Sequence, residues 1–258
     1  MNPVKIIFFD IDGTLVDPAT KHISPKVFET LQKLREKGIL LCIATGRVPV
    51  AFPDFGGFQF DAVCAINGSL CYTDKAVIYT NAISPKSVEQ VLKNAAALGR
   101  PVSLAVRDGL AANGFDRDLA DYYGLSELEL TVAENFEEAA KGDVYQIMLG
   151  CREADFPAIL QGTDDVKIAV SWERAVDVIP AAGGKGVAIG KMLEYFRLAP
   201  TQAIAFGDSH NDLEMLQAVG TGVAMGNAAR VLKKVADEIC GPVSEEGIYH
   251  YCVDKGLI

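Results

Sequence analysis

The residues able to do chemistry sit in short polar clusters, each at the end of an apolar run. Asp10-Ile11-Asp12-Gly13-Thr14 follows Val4 to Phe9, and Thr45-Gly46-Arg47 follows Ile39 to Ala44. Asn67-Gly68 follows Ala62 to Ile66, and Gly207-Asp208 with Asn211-Asp212 follows Ala203 to Phe206. Lys185 stands after Gly183-Gly184. Asp10 and Asp12, two apart, can face one side, and Asp208 and Asp212 are candidates to join them. Carboxylates gathered in one crevice repel each other unless a hard cation compensates, and Mg²⁺ suits a site of few carboxylates and several waters. Arg47 and Lys185, with the hydroxyls of Thr14 and Thr45, then suit an anion. A metal, an anion and an activated carboxylate together specify phosphoryl transfer.

Each signal is ordinary when it stands alone. An Asp after a strand is commonly a turn or cap residue. A Thr-Gly pair is a common strand exit, and a Lys at a helix start is usually solvated and slightly disfavoured by the helix dipole. His22 and His250 are expected at the surface, and no His or Cys spacing around His210 makes a metal triad. Joint placement at strand ends is what lifts the clusters above these readings. Ligands of open parallel sheets bind outside the carboxyl ends of the strands.

The elements needed to position them are legible. Val4 to Phe9 is apolar throughout, as in a strand buried on both faces. Ile23-Ser24-Pro25 opens a helix with a cap, a staple and a proline at the first position, and Phe28, Leu31 and Leu34 recur at helical spacing up to Gly38. With the strand Ile39 to Ala44 this makes a right-handed βαβ unit. The rhythm then changes. Ile83-Ser84-Pro85 repeats the capping device, and strands are expected at 102–107, 144–150, 166–172 and 175–179, with helices at 116–123 and 154–161. From Gly183 the first rhythm returns: a helix from about Lys185 to Phe196, a strand Ala203 to Phe206, a helix at 212–219 and a strand Gly222 to Met225. The expected fold class is α/β: a doubly wound, parallel-sheet, Rossmann-like core from residues 1–81 and 182–258, with a smaller α+β domain inserted at 82–181.

Composition bounds the partners. The 258 residues carry 24 Lys and Arg against 34 Asp and Glu, a net charge of −10, which argues against nucleic acid or an anionic membrane as partner. Half the residues are apolar, which excludes a disordered chain. No apolar run reaches the roughly 20 residues that a spanning helix needs. The six cysteines include no C-x-x-C pair and read as reduced thiols, so a cytoplasmic location is expected.

Taken in order, the clusters resemble the four motifs of the haloacid dehalogenase-like (HAD) phosphohydrolases. These are Asp10-Ile-Asp12-Gly13-Thr14-Leu, Thr45 in Ala-Thr-Gly-Arg, Lys185 in Gly-Gly-Lys-Gly, and Gly207-Asp208-Ser-His-Asn211-Asp212. Gly222-Val-Ala-Met-Gly-Asn-Ala and Glu246-Gly-Ile are similar to the tail of the Cof-type subgroup, which carries an α/β cap between motifs two and three. The resemblance covers essentially the whole chain. It implies a Mg²⁺-dependent phosphatase of small phosphorylated metabolites, sugar phosphates foremost. By resemblance Asp10 is the nucleophile that forms an aspartyl-phosphate, and Asp12 is the acid for the leaving alcohol and then the base for water. The resemblance also implies metal ligation by Asp10, the Asp12 backbone and Asp208, with Asp212 acting through water. Thr45, Lys185, the backbone at Gly13 and Thr14, Arg47 and Asn211 are implied at the phosphate. The cap sets substrate choice, with Arg107, Trp172, Glu173, Arg174 and Asp177 as the residues to inspect. The chain departs from the family in the Pro- and Gly-broken stretch between Arg47 and Asn67, and in Ser69 after Asn67-Gly68.

Other readings compete: a hexose phosphomutase, a non-hydrolytic phosphoacceptor of the receiver type, and a sugar-phosphate sensor. Receiver domains run to about half this length and leave an inserted cap without purpose.

Overall fold

The computed structural model describes residues 3–170 and 172–258. Positions 1 and 2, inside the expected core segment, and position 171, inside the strand expected over 166–172, lie outside the described residues.

The chain opens on β1 (Ile6–Phe9), crosses through the helix Pro25–Glu36 to β2 (Leu40–Ala44), and continues to β3 (Ala62–Ala65), β4 (Leu70–Tyr72) and β5 (Val77–Thr80). Ser24 caps the helix by accepting from the Val27 amide at 3.2 Å, and Pro25 occupies its first turn. The next segment forms β6 (Val102–Val106), β7 (Gly109–Ala112), β8 (Gln146–Gly150), β9 (Val166–Ala169) and β10 (Ala175–Pro180). The chain then returns through the helix Lys185–Phe196 to β11 (Ala203–Gly207), β12 (Thr221–Ala224) and β13 (Glu238–Ile239).

Two sheets result. The larger has the order β13-β12-β11-β1-β2-β3-β4-β5, parallel from β13 to β3 and antiparallel at β4 and β5. Its four β1 residues are fully buried, as a sheet covered on both faces requires, and Phe9 stacks on Phe206 of the adjacent strand at 5.4 Å. The smaller sheet, β7-β6-β8-β10-β9, is antiparallel throughout, and a separate apolar cluster including Val91, Leu104, Ile147 and Val178 lies beneath it. The doubly wound parallel core with an inserted α+β unit is therefore the observed architecture. No helix among the described residues is long and apolar enough to cross a membrane.

Some expected elements are shorter. The helix expected at 154–161 is a 3₁₀ turn, Glu153–Asp155, followed by the single turn Phe156–Ile159, because Pro157 and Gly162 leave it no room to extend. The helix expected at 212–219 is a 3₁₀ turn, His210–Asp212, followed by Leu213–Gln217. The strand expected at 166–172 is described only to Ala169. Between Arg47 and Asn67 the helical content is the 3₁₀ turn Pro49–Ala51, in keeping with the prolines there.

Candidate active site

Parallel pairing of β11, β1, β2 and β3 carries Asp208, Asp10, Thr45 and Asn67 to one edge of the sheet. Lys185, at the start of its helix, enters from the side. Its Nζ donates to Asp10 Oδ1 at 2.8 Å and to Asp212 Oδ1 at 2.5 Å, with the lysine and Asp212 side chains fully buried. The other Asp212 oxygen accepts from the backbone amides of Asp208, at 3.0 Å, and Ser209, at 2.9 Å. Both Asp212 oxygens are thus engaged with protein, and their effect is to fix Lys185 and the 208–209 turn.

Asp208 comes close to Asp10 because residue 13 is a glycine. Gly13 has φ +74°, and a Cβ there would lie 2.3 Å from Asp208 Oδ2. Asp208 Oδ1 accepts from Thr14 Oγ1 at 3.2 Å. The Gly13 carbonyl accepts from Asn227 Nδ2 at 2.8 Å, a brace that the sequence reading missed although Asn227 lies in the quoted tail motif.

One carboxylate oxygen from each of Asp10, Asp208 and Asp212 lies within 4.8 Å of the others. Burial first, and then the Asp212 charge, push Asp10 up to about 7 against the pull of Lys185. Burial, with the charges of Asp10 and Asp212, pushes Asp208 up to about 8. Burial alone would lower the Lys185 pKa, but its two carboxylates overcome this and hold it above the ordinary lysine value. Once the three acids are ionised, one lysine leaves negative charge uncompensated. A set of hard oxygen donors with that deficit fits a small dication such as Mg²⁺.

Asp12 stands apart from the cluster. Its carboxylate takes two hydrogen bonds from Arg47, Nε to Oδ2 at 2.7 Å and Nη2 to Oδ1 at 2.6 Å, and Arg47 Nη1 donates to the Ala51 carbonyl at 2.5 Å. Thr45 is buried, and its Oγ1 accepts from the Arg47 amide at 3.1 Å, so its own hydroxyl proton remains to be donated. The backbone amides expected to serve an anion are turned inward: Gly13 donates to Val16 at 2.9 Å and Thr14 to Ile11 at 3.3 Å, closing the 10–16 turn. Asn211 donates its amide to Asn67 Oδ1 at 2.9 Å, and its own Oδ1 is buried without a hydrogen-bond partner among the described residues.

A cavity of about 270 Å³ separates this edge from the second sheet. Asp10, Asp12, Thr45, Arg47, Asp208 and Asn211 line it on one side. Leu110, Tyr122, Leu128, Gln146 and Met148 line it on the other. Of the residues of the inserted unit singled out from sequence, Asp177 is buried, and it accepts from the Tyr122 hydroxyl and from Asn67. Arg174 instead pairs with Asp118 and Asp121 and lies over the Trp172 ring. Gln146 was missed. Its only sequence signal is an amide inside the apolar run 144–150.

The haloacid dehalogenase-like hydrolase family matches residues 7–252. YkrA of Bacillus subtilis (strain 168), named as a candidate phosphatase, is 33% identical over 258 residues, covering 98% of each chain. The 5-amino-6-(5-phospho-D-ribitylamino)uracil phosphatase YitU of the same organism is 29% identical, covering 95% of each. Among solved structures, the HAD subclass IIB sugar phosphatase BT4131 superposes with a TM-score of 0.92 at 28% identity, over 99% of this chain and all of that one. With its motif carboxylates gathered at one edge of a HAD core, the chain belongs to the haloacid dehalogenase-like hydrolase family and is a phosphoric monoester hydrolase.

Proposed function

We propose that the protein is a Mg²⁺-dependent phosphatase of small phosphorylated metabolites, sugar phosphates foremost, working through an aspartyl-phosphate on Asp10. One observation carries this reading: Asp10 and Asp208 approach each other in the lining of a cavity, with buried Lys185 anchored between Asp10 and Asp212. The activities of the similar proteins YitU and BT4131, named as a 5-amino-6-(5-phospho-D-ribitylamino)uracil phosphatase and a sugar phosphatase, support the substrate class.

Asp10 and Asp208, with the Asp12 carbonyl, would hold the ion. Bound there, Mg²⁺ supplies positive charge against the phosphoryl oxygens and the acidic cluster. Lys185 holds Asp10 in place and adds a second positive charge beside the transferring group. Asp10 attacks phosphorus in line, a P–O bond forms to its carboxylate, and the bond to the leaving alkoxide breaks. Asp12 gives that alkoxide its proton. It then takes a proton from the water that attacks the aspartyl-phosphate, so inorganic phosphate leaves and Asp10 is restored. Thr45 donates its hydroxyl to a phosphoryl oxygen. Residues 82–181 act as the cap, closing over the leaving group and excluding bulk water.

The test is phosphate release from a panel of phosphorylated metabolites with and without Mg²⁺. Wild type should turn over in a chelator-sensitive way, and Asp10→Asn should lose at least about a thousandfold in kcat while keeping its fold by circular dichroism. Undiminished turnover by Asp10→Asn would remove the nucleophile assignment.

A further inference from the structure

Most of the positive charge at the site is already spent. Lys185 lies between Asp10 and Asp212, and Arg47, which lines the cavity, is paired with Asp12. Lys21 also lines the cavity, and it has no carboxylate partner among the described residues. Its Nζ donates to the Leu125 carbonyl at 3.2 Å. An ammonium has three N–H donors, so that contact leaves it with donors to spare and its charge unneutralised.

The backbone, not an ion pair, holds Lys21 in place. Its φ is 61°, left-handed and costly for a residue with a side chain. The amides of Lys21 and Thr20 both donate to the Asp17 carbonyl, at 2.8 and 3.1 Å, and close the turn. Asp17 is the acid nearest to Lys21 in the chain, but its carboxylate accepts from the Ala19 amide at 2.9 Å. On the far side, Leu125 ends the helix Arg117–Leu125 of the inserted unit. A lysine at a helix C-terminus is favourable in itself, so Lys21 ties the core to the inserted unit. A neutral donor would serve that hydrogen bond equally well, which leaves the charge itself to be accounted for.

Position assigns the charge to the leaving-group side. Lys21 makes no hydrogen bond to Asp10 or Asp208 among the described residues, and its partner Leu125 lines the cavity with Ser126 and Leu128 of the inserted unit. We propose that Lys21 is a specificity-determining residue that receives a second anionic group, a carboxylate or a further phosphate, carried by the leaving group of the phosphate ester. The proposal rests on the phosphatase reading above and selects among its phosphorylated metabolites. A second anion entering this cavity meets Asp10, Asp12 and Asp208 in a chain of net charge −10. Unless a cation receives it there, the like charge and the lost hydration exclude it. An ester whose leaving group is neutral gains nothing from Lys21 and loses nothing when the charge is removed.

The experiment compares kcat/KM for phosphate release within two matched pairs, assayed with Mg²⁺. In 3-phosphoglycerate a carboxylate replaces the hydroxymethyl group of glycerol 3-phosphate. In fructose 1,6-bisphosphate a second phosphate replaces a hydroxyl of fructose 6-phosphate. Wild type should favour the doubly anionic member of at least one pair, and which pair it is tells carboxylate from phosphate. Lys21→Gln is neutral but can still donate to the Leu125 carbonyl, and Lys21→Met can do neither. In both variants the ratio of doubly to singly anionic substrate should fall by about tenfold or more, while Lys21→Arg should keep it. Melting temperatures report the fold, and the wild-type ratio should also shrink as salt is raised, a reading that needs no variant. A residue that only tied the two units together would leave Lys21→Gln like wild type and slow both members of a pair equally in Lys21→Met. A ratio within about twofold of wild type in the neutral variants overturns the inference alone, as does a wild type that hydrolyses other phosphate esters but favours neither doubly anionic member. Wild type releasing phosphate from none of the four, nor from the metabolite panel above, overturns the phosphatase reading and this inference with it.

Discussion

Arg47 grips Asp12 through two parallel hydrogen bonds of 2.7 and 2.6 Å, and its remaining nitrogen is tied to the Ala51 carbonyl. The guanidinium is itself nearly buried, its side chain 9% exposed against 44% for Asp12. The pairing fixes which way the Asp12 carboxylate faces. Each Asp12 oxygen accepts one Arg47 hydrogen bond and keeps a second lone pair with which it can exchange a proton with the leaving group. The arginine is therefore expected to hold the carboxylate in the orientation from which that exchange takes place.

Arg47→Lys tests that coupling. Lysine keeps the charge but cannot make the two-pronged pair while also reaching Ala51. We expect kcat to fall by about 10- to 100-fold, the range for a misplaced general acid, with a smaller change in KM. Steady-state kinetics on one good substrate decides it. Unchanged kcat would show that the paired geometry is irrelevant to proton transfer.

The parallel core from β12 to β3 was legible from sequence because each of those strands is an apolar run ending in a polar cluster, and because Ser24-Pro25 and Ser84-Pro85 mark helix starts unambiguously; β13, the two residues Glu238–Ile239, carries no such signal. The helix Lys185–Phe196 appears at the residues expected. What escaped carries no such signal. β7 is Gly-Leu-Ala-Ala, with little intrinsic strand preference, and it exists because it pairs along β6. The helix Gly247–Asp254 opens on a glycine that no side chain caps and that packs against Gly241, which is a tertiary event. At the site, the motif residues were readable from type and order. Their pairings were not: nothing in the sequence says that Arg47 chooses Asp12, or that Asn211 spends its amide on Asn67. Those choices depend on distances set by strands far apart in the chain.

The raised carboxylates make stability depend on pH in a direction that can be worked out. Asp10 and Asp208 titrate near their ordinary value of 3.8 when unfolded, and at about 7 and about 8 in the fold. Between those limits the native state binds more protons than the unfolded chain, so unfolding free energy falls as pH rises from about 4 to about 8. Without divalent metal, the protein should therefore be more resistant to urea at pH 6 than at pH 8. Metal ligands must be deprotonated, so added Mg²⁺ should stabilise more at pH 8 than at pH 6. Asp177, pushed up to about 7 mainly by burial, adds a slope of the same sign from a position outside the acidic cluster. Asp177→Asn should therefore flatten the profile without removing its Mg²⁺ sensitivity. A metal-free protein whose urea midpoint rises from pH 6 to pH 8 would contradict the assigned shifts.

Lys185→Met separates electrostatics from packing. Methionine approximates the stem of the lysine but leaves buried Asp10 and Asp212 facing each other without a cation. Breaking a buried pair from one side costs about 3–5 kcal/mol, and here two carboxylates lose the same partner. The loss should be largest above pH 8, where Asp10 must ionise, and should shrink as the pH is lowered and Asp10 takes up a proton. Urea unfolding at pH 5.5 and 8.5 measures it. A loss equal at both pH values would mean that the lysine contributes through its hydrocarbon stem.

Gly13→Ala asks whether the approach of Asp208 to Asp10 matters to metal binding rather than to folding. The new methyl would need to occupy space 2.3 Å from Asp208 Oδ2, on backbone whose φ of +74° already disfavours any side chain. The turn has an alternative to unfolding: Asp208 can swing away, because its one side-chain tie to the 10–16 turn is the 3.2 Å hydrogen bond from Thr14. That movement would relieve the clash and separate the two carboxylates proposed to share the ion. The expected result is a folded protein whose half-saturating Mg²⁺ rises by about tenfold or more, as when a metal site's supporting geometry is disturbed. Saturating Mg²⁺ should recover part of the lost activity. Magnesium titrations of phosphate release, read beside the melting temperature, distinguish this from simple destabilisation. A variant with lowered stability and an unshifted Mg²⁺ midpoint would mean that the glycine serves the turn alone.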